Sequence, residues 1–467
     1  MPSVVVLGLD SVPPELLFDR FLPHMPNLRK LLGHATWGPL RTCEPPITVP
    51  AWAVFFSGVD PGTLGVYGFR HRRPGTYFDQ YTPTPSTLQT APIWDLLSRR
   101  GRKVAVLGMP PGYPPPPVNG VYVSDFLTPD NAPDPVYPAS LRAELERVAG
   151  APFVFDVEFR HDAREKLFEE LLAMTRQRWA IARDVYRRGP WDLFALHDIG
   201  PDRFHHAFWK YFDPTHPSYD PKGPFQGIGE RYYAQLDQEI GAFLELVAPE
   251  TIVLVASDHG SKAMEGCFCI NEWLLERGLL SLKGKPPAPG TPLEACTVDW
   301  KRTSVWGAGG YYARLFFNVK GREPQGRLKA SDVPELESRL RAELSQVRRP
   351  DGSPLGVRVT RPKDAYRSVR GDAPDLMAYF GDLAWRSAGT VGHGKLFLSE
   401  NDTGPDDAVH GWDGVYALAD PRRTLPAGGR HGEREDILDV APTLLRLLGE
   451  TPPSFMQGKP IDAWVPK

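Results

Sequence analysis

The chain contains 467 residues, of which 24% are charged and 41% hydrophobic, and its formal net charge is −3. This near-neutral balance excludes a general basic surface of the kind that attracts nucleic acid or an anionic membrane. The chain has 44 glycines and 50 prolines, but the hydrophobic content and the periodic segments argue against disorder and assign these residues to loops.

The N-terminal segment shows neither the basic region nor the apolar region of a signal peptide, and no apolar run approaches the roughly 20 residues that span a membrane. The cysteines are too few and too irregularly spaced for a disulfide framework. Cys267 and Cys269 lack a second pair at zinc-finger spacing, so we interpret them, like Cys43 and Cys296, as thiols rather than metal ligands. These features predict a cytoplasmic protein without membrane attachment.

Helical and strand patterns alternate through the first half of the chain. Residues 3–9 predict a strand and residues near 24–33 a helix, after which IWDLLSRR predicts a helix and KVAVLG a strand. Long helical patterns over 163–188 and 229–248 are each followed by a strand, WDLFALH and TIVLVAS. Such repetition implies right-handed crossovers and a largely parallel central sheet with helices on both faces. The predicted fold class is therefore α/β.

The pattern weakens between residues 262 and 400 and becomes regular again at the end of the chain. The weak segment contains the glycine-rich WGAGGYY, which we interpret as a hairpin or loop, whereas DILDVAPTLLRLLG predicts an amphipathic helix that ends at Gly449. The length allows up to about three domains, but the persistent alternation favours a single domain over 1–467. We interpret 262–400 as an insertion that forms a cap or rim over the active edge of this domain.

Three acidic residues stand where strand-like runs stop: Asp10 after SVVVLGL, Asp202 just past DLFALHDIGP, and Asp258 after TIVLVAS. Because the carboxyl ends of parallel strands lie along one edge of a sheet, these carboxylates are expected to converge. His206 follows Asp202 by four residues, on the same helical face, and His259 directly follows Asp258. Mixed carboxylate and imidazole ligands suit zinc or manganese. The pattern indicates a metal-dependent phosphoryl-transfer enzyme.

Several of these residues also have a purely structural interpretation. Asp10 could cap the next helix, and Asp202 could be an N-cap with His206 packed among aromatic side chains. Asp258-His259-Gly260 is the sharper signal, because a structural turn would more often use Asn, Ser or Pro.

A nucleophile is offered by Thr48 in PPITVPAWAVFFSG. It precedes Pro50 and an apolar run, which makes it a natural N-cap with its hydroxyl among free backbone N–H groups. The functional interpretation adds that a helix N-terminus binds anions and that a metal at this hydroxyl favours its alkoxide, a strong nucleophile.

These motifs resemble the alkaline phosphatase superfamily, and within it the type I phosphodiesterase/nucleotide pyrophosphatase family. The family shows an N-terminal strand that ends in Asp, a Thr-x-Pro nucleophile segment with a following Pro-Gly turn, Asp-x-x-x-His, Asp-His-Gly and a late lone His. The corresponding segments here are GLDS, TVPAWAVFFSGVDPG, DRFHH, SDHG and AVHGWDGVYAL, the last of which contains His410. The resemblance extends from residue 4 to about residue 461 and is weakest in the middle.

The resemblance implies an alkaline-phosphatase-like fold and a bimetal-dependent phosphohydrolase, most simply a phosphodiesterase, that acts on a small-molecule phosphate ester. Zinc is the expected metal and manganese the alternative. The two ions would clamp the attacking and leaving oxygens of an in-line displacement that gives a phosphothreonine at Thr48. The implied ligands are Asp202, His206 and His410 for one divalent ion, and Asp10, Thr48, Asp258 and His259 for the other.

His410 is one of several histidines in the last part of the chain. His393 and His431 also fall in predicted loops. Only His410 is followed by the strand entry that the family shows, so the resemblance assigns the late ligand to His410.

One departure concerns an Asn that nucleotide-cleaving members carry shortly after the Pro-Gly turn. Phe69 stands at about that position here, which argues against ordinary nucleotide pyrophosphatase activity. Arg70 or His71 could supply the missing donor to a phosphate oxygen, although a solvated charge run is the more ordinary interpretation.

The main alternative is a phosphomonoesterase or a metal-dependent phosphosugar mutase of the same superfamily, although a mutase should carry dedicated Arg or Lys residues for a phosphorylated sugar. A sulfatase needs Cys or Ser in a C/S-x-P-x-R context, which CEPPI lacks. A non-catalytic binding module predicts the loss of a ligand or of Thr48, and none is lost. No sequence pattern indicates the oligomeric state.

Overall fold

The computed structural model describes residues 3–150, 152–425 and 429–465. A π-helical segment, Glu15–Arg20, and several short 3-10 turns accompany its α-helices. The α-helices are α1 (Pro26–Leu32), α2 (Thr48–Ser57), α3 (Pro61–Leu64), α4 (Ile93–Arg99), α5 (Arg142–Ala149), α6 (Arg164–Arg187), α7 (Gly200–Phe212), α8 (Ile228–Leu244), α9 (Ile270–Glu276), α10 (Val333–Ser345), α11 (Pro362–Ala365) and α12 (Val440–Leu447).

The strands form one large sheet and several small ones. They are β1 (Val4–Leu9), β2 (Thr36–Arg41), β3 (His71–Arg72), β4 (Gln80–Tyr81), β5 (Val104–Leu107), β6 (Gly120–Val123), β7 (Val136–Tyr137), β8 (Leu193–Asp198), β9 (Ile252–Ala256), β10 (Gly260–Ala263), β11 (Gly266–Cys269), β12 (Val305–Ala308), β13 (Ala313–Phe317), β14 (Arg358–Thr360), β15 (Leu376–Tyr379), β16 (Trp385–Ala388), β17 (Phe397–Leu398), β18 (Ala408–Gly411), β19 (Asp413–Ala419), β20 (Arg430–His431) and β21 (Glu435–Asp436).

The large sheet has ten strands in the order β20-β2-β19-β9-β1-β8-β5-β6-β7, with β21 paired to β2. Its centre, β9-β1-β8-β5-β6, is parallel, whereas β19 and β7 run antiparallel to their neighbours. Strands β1, β8 and β9 are buried along their whole length, as expected for strands covered by helices on both faces. The carboxyl ends of these three adjacent strands form one edge of the sheet.

Helix α2 lies inside the protein rather than on its surface. All ten of its residues are buried, and its sequence, TVPAWAVFFS, is apolar nearly all round, as is typical of a core helix. The helix therefore holds its first residue, Thr48, in a fixed place.

The segment 262–400 contributes a second hydrophobic core, separate from the core around the large sheet. A four-stranded antiparallel sheet, β12-β13-β15-β14, lies in this segment, and Leu336, Leu340 and Leu344 of α10 are buried in its core. These contacts suit an inserted unit, and the domain boundaries and the cap role stay predictions.

The structure confirms the predicted α/β fold with a largely parallel central sheet. WGAGGYY forms a hairpin, since β12 ends at Ala308 and pairs antiparallel with β13, which begins at Ala313. Helix α12 ends at Leu447, and Gly449 follows with a φ of +78°, the left-handed conformation typical of a helix stop. Within the described residues, no helix is both long and apolar enough to cross a membrane.

Candidate metal centre

The large sheet brings the three predicted carboxylates to one edge. Asp10 follows β1 directly, Asp258 lies two residues after β9, and Asp202 lies in the first turn of α7, which begins two residues after β8. Because β9, β1 and β8 are neighbours in the sheet, residues about 250 positions apart meet at this edge.

His410 reaches the same place through a separate strand pair. Strand β18 carries His410 and pairs antiparallel with β10, which follows Asp258 and His259 directly, so that His410 lies opposite Ser261. Gly260 permits the close approach, since a Cβ at this position would lie 2.2 Å from the carbonyl oxygen of Asp413.

All seven predicted site residues converge here, and none is more than 1% exposed. One group of ligand atoms comes from Asp10, Asp258 and His259, within 4.8 Å of one another. The Thr48 hydroxyl joins this group, 3.4 Å from Oδ1 of Asp10 and 3.2 Å from Nε2 of His259. These are the four residues predicted for one ion.

The second group differs slightly from the predicted set. Asp202, His259 and His410 offer atoms within 4.8 Å of one another, so that His259 lies between the two groups. Nε2 of His206 lies 3.3 Å and Nε2 of His410 lies 3.6 Å from Oδ1 of Asp202. The Nε2 atoms of His206 and His410 therefore both lie near the same oxygen, Oδ1 of Asp202, so the three residues of this predicted ligand set are close together.

In each of the three histidines among the predicted ligands, Nδ1 is hydrogen-bonded to a carbonyl or carboxylate oxygen. His259 donates from Nδ1 to the carbonyl of Gly260 at 3.0 Å, and His410 donates to the carbonyl of Pro46 at 2.7 Å. His206 donates to Oδ1 of Asp406 at 2.6 Å. A proton on each Nδ1 leaves the lone pair on Nε2, which faces the carboxylates.

Unpaired polar atoms test whether these residues fit a cation. Oδ1 of Asp202, Oδ2 of Asp258 and Nε2 of His410 are buried, and none has a hydrogen-bond partner among the described residues. A buried acceptor without a partner is costly. All three atoms are acceptors in the arrangement above and belong to the O/N ligand types that zinc and manganese take, so the residues fit divalent cations.

The charges of the site support this fit. Burial, together with the neighbouring Asp10, raises the pKa of Asp258 well above its usual value. Burial also acts to raise the pKa of Asp202, but His206 and Arg203 outweigh it and hold that pKa well below its usual value. Crowded buried carboxylates of this kind are stabilised by positive charge.

Two buried side chains that the sequence analysis did not identify hold Asp10. Nε1 of Trp52 donates to Oδ2 of Asp10 at 2.8 Å, and Nε2 of His197 lies 2.7 Å from the same oxygen. His197 interrupts the apolar strand WDLFALH, and a histidine in such a strand was the available signal. Asp10 thus serves no helix cap, and its Oδ1 remains turned towards Thr48 and His259.

The structure corrects the prediction that Thr48 is an N-cap. The N-cap position of α2 is Ile47, and Thr48 is the first helical residue. Its hydroxyl contacts Asp10 and His259 instead of its own helix, because the carboxyl edge of the sheet lies directly against this end of α2.

His205, which neighbours His206, and the late histidines His393 and His431 have other contacts. His205 contacts Ser261 and Tyr233. His393 contacts the hydroxyl of Thr390, and His431 packs against Trp37. Of the late histidines, the structure brings His410 to the centre.

Comparison with known proteins assigns the chain to a family. The family model "Type I phosphodiesterase / nucleotide pyrophosphatase" matches residues 4–413, which is most of the chain. The chain belongs to this family. A search of curated protein sequences found no significant match.

Solved structures with the same fold include proteins from bacteria and mammals. Phosphonoacetate hydrolase from Sinorhizobium meliloti 1021, in complex with phosphonoformate, matches with a TM-score of 0.60 and 15% identity over 96% of this chain and 95% of that chain. Human ectonucleotide pyrophosphatase/phosphodiesterase 5 matches with a TM-score of 0.58 and 12% identity over 99% and 98%. At these identities the likeness shows the fold alone.

This member of the type I phosphodiesterase family has a cavity of about 610 Å³ beside the site. Its lining includes Ile47, next to Thr48, and Arg203, next to Asp202. Tyr311 also lines it, and the Tyr311 hydroxyl lies 3.1 Å from Nε2 of His206. None of the seven predicted site residues is among the lining residues, so the cavity adjoins the predicted reacting groups through these neighbours, and its volume is that of a small-molecule site.

The residues around Phe69 have two different roles in this family member. Phe69 and Arg70 line the cavity. His71 is buried, and its Nε2 accepts the backbone N–H of Tyr67 at 2.7 Å. Of the two residues considered as replacements for the missing Asn, Arg70 is at the cavity and His71 is occupied within the fold.

Proposed function

We propose that this type I phosphodiesterase-family protein is a phosphodiesterase that depends on two divalent cations and forms a phosphothreonine at Thr48. The observation that carries the proposal is the meeting of the Thr48 hydroxyl with two buried groups of carboxylates and imidazoles. Small phosphate esters are the proposed substrates. The solved complex of murine ectonucleotide pyrophosphatase/phosphodiesterase 5 with AMP supports this class by analogy of fold.

The proposed ligands are those that the sequence indicated. Asp202, His206 and His410 would hold one cation, with Asp10, Thr48, Asp258 and His259 at the other; the position of His259 between the groups allows it to contribute to either. When bound, the cations supply Lewis-acid polarisation of phosphoryl oxygens and favour the deprotonated Thr48 hydroxyl. We propose zinc, with manganese as the alternative, because both accept Asp and His ligands.

The chain's own residues would orient the reaction. The buried helix α2 fixes the Thr48 oxygen, and the positive end of its dipole faces the place of an incoming phosphoryl group. Nε2 of His259, 3.2 Å from the Thr48 oxygen, and Oδ1 of Asp10, at 3.4 Å, hold the nucleophile between them. The covalent step would transfer the phosphoryl group from the leaving oxygen to Thr48, and water would then release it.

Hydrolysis of bis-p-nitrophenyl phosphate and p-nitrophenyl phosphate tests the proposal, with metal-stripped protein reconstituted with zinc or manganese. We expect metal-dependent turnover with a preference for the diester. Thr48→Ala should reduce kcat by roughly 10³-fold or more, as expected for removal of a nucleophile. Thr36→Ala is the matched control, since Thr36 is a buried threonine whose hydroxyl has no partner among the described residues.

The same experiment decides between a phosphodiesterase and the alternative activities. A preference for p-nitrophenyl phosphate would indicate a phosphomonoesterase. A phosphosugar mutase needs basic residues for a phosphorylated sugar, and arginines do line the cavity. A mutase would rearrange a phosphorylated sugar without releasing phosphate, so turnover of neither aryl ester with both metals bound would favour it.

A further inference from the structure

Five arginines line the cavity beside the metal centre: Arg70, Arg160, Arg203, Arg314 and Arg386. Asp156 is the one acidic residue among the described residues of the lining. Between the arginines lie aromatic side chains, among them Phe126, Phe159 and Tyr311. Positive charge in a cleft with low-dielectric walls concentrates anions.

Three of these arginines are neutralised by carboxylates. Arg203 pairs with Asp202 and Asp156, both at 2.7 Å. Arg160 and Arg386 share Oδ2 of Asp406, at 3.1 and 2.7 Å. These contacts also anchor the cavity wall to the metal centre.

Arg70 and Arg314 have no such partner. No described carboxylate lies within 4.0 Å of either guanidinium, and Nη1 of Arg314 donates to the backbone carbonyl of Arg70 at 2.6 Å. Arg386 adds an unused donor: the residue is 4% exposed, and its Nε has no hydrogen-bond partner in the described part of the chain. These groups are available to a ligand.

Arg70 and Arg314 are separated from the residues that border the candidate metal centre. A second cavity of about 330 Å³ adjoins the first, and Arg70, Arg314 and Arg386 line both. Ile47, Arg203 and Tyr311, which border the metal centre, line only the first. Arg70 and Arg314 therefore stand where the two cavities join, whereas Ile47, the neighbour of Thr48, lines only the first cavity.

We propose that the substrate carries a second anionic group, a phosphate or a carboxylate, on its leaving group, and that Arg70 and Arg314 bind it. The inference rests on the proposed function, in which the transferred phosphoryl group occupies the metal centre. A guanidinium binds phosphate and carboxylate through paired N–H donors, which makes Arg the suited residue for both. The leaving group spans the first cavity and places its charge at the junction with the second.

Three diesters with the same transferred group test this proposal in the zinc- or manganese-reconstituted protein. Methyl 4-nitrophenyl phosphate has a leaving group without a second charge. Methyl 3-carboxy-4-nitrophenyl phosphate adds a carboxylate, and methyl 4-(phosphonomethyl)phenyl phosphate adds a non-hydrolysable phosphate analogue. The variants are Arg70→Gln, Arg314→Gln and Arg314→Lys. The control is Arg339→Gln, an exposed arginine of α10 that lines neither cavity.

We expect Arg70→Gln and Arg314→Gln each to raise KM for a charged diester about tenfold and to change kcat/KM for the uncharged diester less than twofold, because a hydrogen bond to a charged group is lost. Arg314→Lys should retain part of the affinity, and Arg339→Gln should change nothing. The charged diester with the larger response identifies carboxylate or phosphate as the group bound. Equal losses on charged and uncharged diesters would overturn the proposal.

Failure of the proposed function would give a different result from failure of the inference about Arg70 and Arg314. If the wild-type protein hydrolyses none of the three diesters, the phosphodiesterase assignment fails. Calorimetric binding of 5-hydroxy-2-nitrobenzoate against 4-nitrophenol then decides the inference alone: tighter binding of the benzoate, lost in Arg314→Gln, supports it, and equal binding contradicts it.

Discussion

Nδ1 of His206 lies 2.6 Å from Oδ1 of Asp406, a residue 200 positions further along the chain. Asp406 is 1% exposed and also accepts hydrogen bonds from Arg386 and Arg160. A carboxylate behind a metal-binding histidine fixes its tautomer and raises its basicity. Asp406 is therefore expected to control the metal affinity of His206 without touching a metal.

Asp406→Asn should weaken metal binding about 10- to 100-fold, the usual effect of losing such a partner. Chelator competition with zinc measures this affinity. Asp407→Asn is the matched control, because Asp407 is a buried neighbour whose carboxylate pairs with Lys210. Equal zinc affinities in Asp406→Asn and the wild type would contradict the assigned role.

Asp258→Asn should stabilise the metal-free protein and weaken its response to metal. The carboxylate of Asp258 is buried beside Asp10, which makes its charge unfavourable until a cation is bound. We expect a higher Tm than the wild type after chelation and a smaller rise in Tm on adding zinc, because the proposed cation at Asp202, His206 and His410 can still bind, whereas the wild-type Tm should rise more by mass action. A zinc-dependent rise in the variant equal to that of the wild type would remove Asp258 from the ligand set.

Gly8→Ala should disturb the candidate metal centre through Trp52, which packs against Gly8. A Cβ at Gly8 would lie 2.6 Å from Cη2 of Trp52 and 3.0 Å from the carbonyl oxygen of Leu196, so the indole that donates to Asp10 must move. We expect urea unfolding to show a loss of about 1–3 kcal/mol, as for an overpacked core, together with lower metal-dependent turnover. For stability the control is Gly68→Ala, where the nearest atom is Cδ1 of Ile47 at 4.0 Å; equal stability of the two variants would contradict the prediction.

His71 should make stability depend on pH. Burial, with a contribution from Arg314, lowers the pKa of His71 from 6.5 to about 3. The unfolded chain then binds a proton that the folded protein does not, so wild-type stability should fall as pH falls from about 6.5 towards 3. His71→Gln keeps an acceptor for the Tyr67 N–H and removes this titration.

Calorimetric Tm values between pH 7 and pH 4 measure the effect. The free energy of unfolding of His71→Gln relative to the wild type should rise as the pH falls, by up to about 1.4 kcal/mol per pH unit, and the difference in Tm should rise with it. A difference in Tm that is constant with pH would show that His71 is protonated equally in both states.

Sequence patterns were informative where chemistry is encoded locally. Asp258 and His259 follow a strand directly, and Asp202 and His206 share a helical face, so the parallel-sheet rule was enough to place them together. His410 required the family resemblance, because nothing adjacent to it in sequence indicates that β18 pairs with β10.

The supporting residues could not be predicted in this way. Asp406, Tyr311 and Trp52 act through contacts with residues 200, 105 and 42 positions away. No periodicity or spacing rule connects such pairs, since they depend on how the segment 262–400, the residues before β18 and α2 pack against the sheet edge. The start of α2 was misplaced by one residue for a related reason: tertiary contacts of Thr48 took precedence over local capping preference.

The segment 262–400 supplies side chains that support the candidate metal centre. The ring of Tyr311 stacks on that of His410 at 3.6 Å, and Arg386 lies over Tyr311 at 4.3 Å while it pairs with Asp406. An exchange of this segment for that of a relative, to change substrate range, would therefore alter the support of His206 and His410 as well. A chimera would have to retain Tyr311 and Arg386 from this chain to keep the proposed metal ligands in position.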